Sequence, residues 1–182
     1  MTFATTSILL HCTAQCRIAS PLGTMLLART ESGLAGVWFE KQKHHPDAID
    51  APERSDDPLL SATARQLRAY FDGAIDAFDV PLDLQGTAFQ RDVWQALLRI
   101  EPGATRSYGE IARELGVPSA SRAVGSAVGR NPVSIIVPCH RVVASSGALT
   151  GYAGGLDRKT SLLRIEADRV RSRRGARQLE LH

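Results

Sequence analysis

The chain has 182 residues, 43% of them hydrophobic, and a formal net charge of +3 at pH 7. That length suits one compact unit or two small lobes, and the apolar content supports a real core rather than a disordered chain. No apolar run approaches membrane-span length, and Ile8-Leu9-Leu10 is too short, and lacks the basic flank, for a secretory signal. Charge is uneven: residues 1–82 carry 7 Lys+Arg against 10 Asp+Glu, net −3, and residues 83–182 carry 15 against 9, net +6. A basic half of this kind fits a phosphate-facing surface and, equally, a solvated face. Three cysteines, with Cys139 far from Cys12 and Cys16, argue against a disulfide framework and for a reducing compartment. The expectation is a soluble, cytoplasmic protein.

In chain order, Arg17-Ile18-Ala19, Thr24 to Arg29 and Leu34 to Phe39 read as strands, with Glu31-Ser32-Gly33 as a hairpin turn. Lys41 to Asp57 is polar, carries Pro46 and Pro52, and reads as a loop. Pro58 to Phe71 places Leu59, Leu60, Ala64, Leu67 and Phe71 at helical spacing, and Pro58 suits a helix start. Asp72 to Gly86 reads as a linker between lobes. Thr87 is positioned to cap a helix over Ala88 to Ile100 that buries Phe89, Val93, Trp94 and Leu97. Tyr108 to Leu115 has apolar Ile111, Ala112 and Leu115 at helical spacing, and Gly116-Val117-Pro118 breaks it. Ser119 is placed to cap a second helix running to about Val128, giving a helix-turn-helix layout. That second helix is made of small residues apart from Arg122, so its backbone can approach another surface closely while one arginine projects.

Ile135-Ile136-Val137-Pro138-Cys139-His140-Arg141-Val142-Val143 is the richest segment. A β-branched run reads as a strand that Pro138 ends, leaving Cys139 held yet reachable at its end. His140 and Arg141 beside it favour the thiolate, the nucleophilic form of cysteine. The basic stretch Arg169 to Arg174 and the rest of the chain to His182 lack apolar periodicity and read as a frayed tail.

Together these motifs resemble the O6-alkylguanine–DNA alkyltransferase (methylated-DNA–protein-cysteine methyltransferase) family. The resemblance is strongest from Gly86 to Glu166. It runs through Phe89 to Leu97, Arg106 to Ala112, Arg122-Ala123-Val124-Gly125, Asn131-Pro132, Pro138-Cys139-His140-Arg141 and Gly151 to Gly155. It is looser before residue 80, resting on Ser20-Pro21-Leu22-Gly23 and Gly36-Val37-Trp38-Phe39. The resemblance implies an α+β chain. A small, ribonuclease H-like α/β lobe over 1–82 precedes a mainly helical, winged helix-turn-helix-like catalytic domain over 83–170, with a basic, disordered tail over 171–182.

The family's chemistry implies that Cys139 attacks the alkyl carbon on guanine O6, and on thymine O4, in double-stranded DNA. His140 would act as base through a water, Glu166 would orient His140, and Asn131 would brace the turn before the active segment. The thioether product has no ready exit, so one turnover per molecule is expected, from a monomer that needs no cofactor. A duplex base must be flipped out to reach a cysteine. The resemblance gives Arg122 the vacated stack and Tyr108 the rotated phosphate and extruded purine, with Ala123, Gly125, Ser126 and Arg130 on the DNA. Val128, Val142, Tyr152, Ala153 and Gly154 would line the base pocket; Ala153 stands where many family members have serine, so only a backbone contact is expected there. Some members carry a structural zinc, but Cys12-x3-Cys16 with His11, His44 and His45 is too permissive a spacing, and no metal is expected. A binding-only regulator would not need Cys139, and a cysteine hydrolase would not need Tyr108 and Arg122.

Overall fold

The computed structural model describes residues 12–46 and 48–179. Strands β1 (Ala14–Ile18), β2 (Met25–Arg29) and β3 (Leu34–Phe39) form an antiparallel meander, with Ala14 opposite Arg29 and Met25 opposite Phe39. β1 thus starts three residues earlier than the expected strand and ends at Ile18. Helix α1 (Pro58–Phe71) covers one face. Asp57 caps it by accepting from the Leu59 and Leu60 N–H groups, and Pro58 occupies the first turn. Leu60, Ala64, Leu67 and Tyr70 then pack on Ala14, Cys16, Ile18, Met25 and Leu27. The other sheet face buries Cys12, Leu26, Ala28 and Trp38 under Ile49.

The stretch expected as a linker is not a free tether. The Leu34 N–H donates to Pro81 O (2.8 Å) and the Asp83 N–H to Leu34 O (2.9 Å), so residues 81–83 run along the edge of β3. Helix α2 (Ala88–Leu98) follows, with a capping box between Thr87 and Gln90, and stops two residues short of Ile100, which is nevertheless buried. Short strand β4 (Arg106–Ser107) feeds helix α3 (Tyr108–Glu114), capped by Ser107 with Glu110. Gly116 takes the left-handed conformation that ends α3 (φ +75°).

Helix α4 (Ser121–Gly129) begins one residue later than a Ser119 cap would have started it, and Ala120 at its N-cap offers no side-chain bond. The Ala120 N–H donates to Val117 O (2.8 Å), so a turn occupies Val117–Ala120. Trp94 of α2 donates through Nε1 to Ala127 O (2.9 Å) and locks α4 into the core.

Two further expectations are corrected. Ile135-Ile136-Val137 does not form a strand: Ile135 has φ +73°, and only isolated bridges join Val133 to Val37 and Ser134 to Val137. Asn131 explains this, because its side chain takes the Val133 N–H (3.0 Å) and the Val137 carbonyl (2.8 Å) that a ladder would have used. Cys139 therefore opens a single 3₁₀ turn (Cys139–Arg141) rather than ending a strand, and β5 (Val142–Val143) follows it. The stretch expected to fray instead continues helix α5 (Leu156–Leu179), past the expected boundary at residue 170; residues 180–182 lie outside the described residues. Arg169 and Arg173 on this helix pair with Asp76, which anchors it. One core runs from Ala14 to Leu162 through both lobes, and no helix among the described residues is long and apolar enough to cross a membrane.

Candidate active site

The segment from Asn131 to Val143 is built to hold one thiol. Asn131, 4% exposed, follows α4 and donates through Nδ2 to Cys139 Sγ at 3.0 Å, besides its bonds to Val133 and Val137 of the turn. The Cys139 N–H donates to Val137 O (2.8 Å) and the Arg141 N–H to Pro138 O (3.0 Å), closing the 3₁₀ turn. β5 pairs in parallel with β4, Val142 beside Arg106 and Val143 beside Ser107. Because β4 runs straight into α3, this pairing sets Tyr108 next to the cysteine turn.

Behind the thiol lies a buried ionic hub. Glu166 on α5 is fully buried, not the surface residue that its sequence context alone suggests. It accepts from His140 Nε2 (2.8 Å), Arg141 Nη2 (2.8 Å), the Tyr70 hydroxyl (2.8 Å) and the Gly103 N–H (3.1 Å). Burial alone would raise the Glu166 carboxyl, but the hydrogen bonds and charges of His140 and Arg141 outweigh it and hold the group well below the usual carboxylate range. The carboxylate requires a proton on His140 Nε2, which leaves the Nδ1 lone pair as the basic site. That Nδ1 is buried and has no hydrogen-bond partner among the described residues. Burial lowers the His140 pKa below 6.5 against the pull of Glu166, so the ring is neutral near pH 7.

Cys139 itself is 3% exposed. Burial pushes its thiol up to about 11, opposed by the Asn131 hydrogen bond and the Lys159 charge. Lys159, fully buried on α5, donates through Nζ to Val142 O (2.5 Å) and Thr150 O (2.7 Å). Tyr108 donates to the same Thr150 carbonyl (3.1 Å), so the lysine and the tyrosine jointly fix the loop before Gly151.

A cavity of about 340 Å³ opens beside Tyr108 and Gly151; Cys139 itself is not in its lining. Tyr108, Gly125, Ser126 and Arg130 line one side, Gly151, Tyr152 and Ala153 another, and Lys43 and His44 of the sheet lobe a third. Of the residues expected to form the base pocket, Tyr152 and Ala153 face this cavity. Val128, Val142 and Gly154 are buried and absent from its lining. Arg122 and Ala123 are exposed at the start of α4, beside that mouth in sequence but not in its wall. Cys16 is a core residue of β1 and Cys12 packs on the opposite sheet face, while His11 lies outside the described residues.

Lys159 and Tyr70 were not singled out by sequence, nor were Lys43 and His44 as cavity residues; Arg141, expected to favour the thiolate, is bound instead to Glu166, and the charge that favours the thiolate is that of Lys159. The spacing of Lys159, Leu162, Glu166 and Arg169 is that of one helix face, and all four are buried. A search for apolar stripes passes over such a face because three of its four members are charged.

Comparison with known proteins agrees with this geometry. The profile described as 6-O-methylguanine DNA methyltransferase, ribonuclease-like domain, matches residues 16–84, and that described as its DNA binding domain matches residues 88–168. Methylated-DNA–protein-cysteine methyltransferase of Mycobacterium bovis is 50% identical over 154 residues, 84% of this chain and 92% of that protein. The protein of that name from Methanosarcina acetivorans is 52% identical over 147 residues, 81% of this chain and 94% of that protein. The crystal structure of Mycobacterium tuberculosis OGT in complex with DNA superposes with a TM-score of 0.80 at 48% identity, covering 86% of this chain and 94% of that one. With both lobes matched in order and the Pro-Cys-His-Arg turn wired to a buried glutamate, the chain belongs to the 6-O-methylguanine DNA methyltransferase family.

Proposed function

We propose that this chain repairs DNA by moving a methyl or larger alkyl group from guanine O6 to Cys139, once per molecule, and that it treats thymine O4 likewise. The observation that carries the reading is a buried thiol held by Asn131 and backed by a neutral His140 on an ionised Glu166. In the transfer, the Cys139 S–C bond forms as the C–O6 bond breaks. The thiol proton passes through a water to His140 Nδ1. The same proton is then given up, through water, to the electron pair left on the base, which departs as neutral guanine while His140 returns to its neutral form. Asn131 steadies the developing thiolate, and Glu166 stabilises the imidazolium and keeps its tautomer. The product thioether has no hydrolytic exit, so the protein is consumed.

A duplex base reaches the cavity only if it is flipped out. In this reading Arg122 fills the vacated stack, and Ala123, Gly125 and Ser126 let α4 lie close in the minor groove. Arg130 meets a phosphate, and Tyr108 contacts the extruded nucleotide. Tyr152 and Ala153 flank the base, with Val128, Val142 and Gly154 shaping that wall from behind. The protein acts as a cytoplasmic monomer without a cofactor. The test is intact-protein mass spectrometry after incubation with an O6-methylguanine duplex. One added methyl per molecule on Cys139 is the expected result, and repeated turnovers or modification of Cys12 or Cys16 would defeat it.

A further inference from the structure

The cavity's third wall comes from the sheet lobe, and its construction is unusual for a surface loop. Between β3 and Pro46, Lys41 and His44 both take left-handed backbone conformations (φ +61° each), a strained state for side-chain-bearing residues that persists only where the surroundings enforce it. Buried Gln42 supplies that enforcement, since its Oε1 accepts from the Phe39 N–H (2.8 Å) and from Ser134 Oγ (3.3 Å) in the other lobe. The Lys43 N–H donates to Ala153 O at 2.8 Å, so the loop also fixes the opposite edge of the cavity. Lys43 and His44 are thereby held at the mouth with Arg130, and among the described residues none lining that cavity is acidic. Burial, then the charges of Lys43 and Arg130, oppose protonation of His44, so the three groups share one field that an anion would relieve.

We infer that the Lys41–His45 loop of the sheet lobe is part of the DNA-binding face, with Lys43 and His44 seating, together with Arg130, a backbone phosphate of the nucleotide extruded into the cavity. This rests on the repair reading above and extends it, because it gives the first lobe a direct share in DNA recognition. A phosphate is the occupant that the chemistry selects: a single anion, at the rim of a base-sized cavity, facing cations on two separate elements.

The test is a salt titration of duplex affinity in a Cys139→Ser background, which binds without reacting. The probe is a fluorescent duplex carrying one O6-methylguanine. Each phosphate contact contributes about 0.9 to the slope of log K against log salt, so losing one weakens binding about eight-fold at 0.1 M relative to 1 M. Lys43→Gln should lower the slope by about that amount and Lys43→Arg should restore it, whereas Arg65→Gln, on exposed α1 outside the cavity, sets the control. An unchanged slope with unchanged affinity overturns the assignment, as does weaker binding at unchanged slope, which would mean packing rather than charge. A Cys139→Ser protein that fails to bind the duplex at all would overturn the repair reading itself; normal binding with an unaltered Lys43→Gln slope overturns only the loop.

Discussion

Proton removal from Cys139 is the step on which the site's design can be checked most directly. With the thiol pushed up to about 11, only about 3 × 10⁻⁴ of the molecules carry a thiolate at pH 7.5, a cost of about 5 kcal/mol for ionising it unaided. If rare thiolate did all the work, transfer would accelerate ten-fold per pH unit, about a hundred-fold from pH 7 to 9. If His140 accepts the proton during transfer, the rate follows the neutral ring instead. Burial holds its pKa below 6.5, so the ring is already neutral at pH 7. The profile from pH 7 to 9 should then be nearly flat, within about three-fold, and fall only on the acid side. The assay is single-turnover transfer from free O6-benzylguanine, quenched and read by intact mass, because the free base removes DNA binding from the profile. His140→Gln should be slow and regain the ten-fold rise per unit. A wild-type rate rising a hundred-fold between pH 7 and 9 would refute the base role.

Glu166→Gln leaves the Arg141 guanidinium buried without its counter-ion, so it should cost about 3–5 kcal/mol in urea unfolding and slow transfer; an unchanged midpoint and rate would show that the hub is idle. The same variant should alter acid stability. The depressed Glu166 carboxyl contributes stability that is full above its unfolded value and lost as pH falls toward its folded one, while His140 contributes stability that is lost below about 6.5. Melting temperature against pH should therefore decline in two stages in the wild type, the lower stage being absent from Glu166→Gln. Tyr70→Phe removes one neutral donor from Glu166, at a cost of about 1–3 kcal/mol. The carboxylate becomes more basic and His140 easier to protonate, so the acid limb of the transfer profile should move to higher pH; an unmoved limb would make Tyr70 a packing residue only. Arg122→Ala should slow duplex repair about ten-fold or more while sparing free O6-benzylguanine, since only the duplex needs a stacked replacement. Equal losses on both substrates would place Arg122 in the fold.

The parts legible in the sequence are those where local chemistry and tertiary structure agree. α1 runs from Pro58 to Phe71 as expected because Pro58 and the apolar stripe Leu59, Leu60, Ala64, Leu67 and Phe71 specify it, and Asp57 at the end of the loop supplies its cap. Thr87 caps α2 for the same reason. Reading fails where a side chain overrides backbone propensity. Ile135-Ile136-Val137 has the composition of a strand, but Asn131 diverts the groups that a ladder needs. It fails again on α5, where Lys159, Glu166 and Arg169 occupy buried positions and pair across the core instead of facing solvent. Cys139 and His140 were recognisable as a motif; their wiring to Tyr70 in the first lobe, 96 residues from Glu166, was not.

The burial that makes Cys139 hard to ionise also suits a nucleophile that is used once. A free cysteine with a pKa near 8.5 is about a tenth thiolate at pH 7.5, some 300-fold more than the fraction that a pKa of about 11 leaves. Oxidants and small electrophiles react through the thiolate, so burial that raises the Cys139 pKa also makes the resting site less reactive toward them. Protection would be useless if it also blocked repair, and the hub resolves the conflict by separating the two states. His140 is kept neutral by burial and correctly protonated on Nε2 by Glu166, so it is ready to accept a proton. In the proposed transfer it would do so productively only when an alkylated base supplies the electrophile at the sulfur. Arg141, Tyr70 and the Gly103 N–H hold Glu166 ionised without relying on His140 being charged, which is why the hub carries more donors than a simple histidine–carboxylate pair requires.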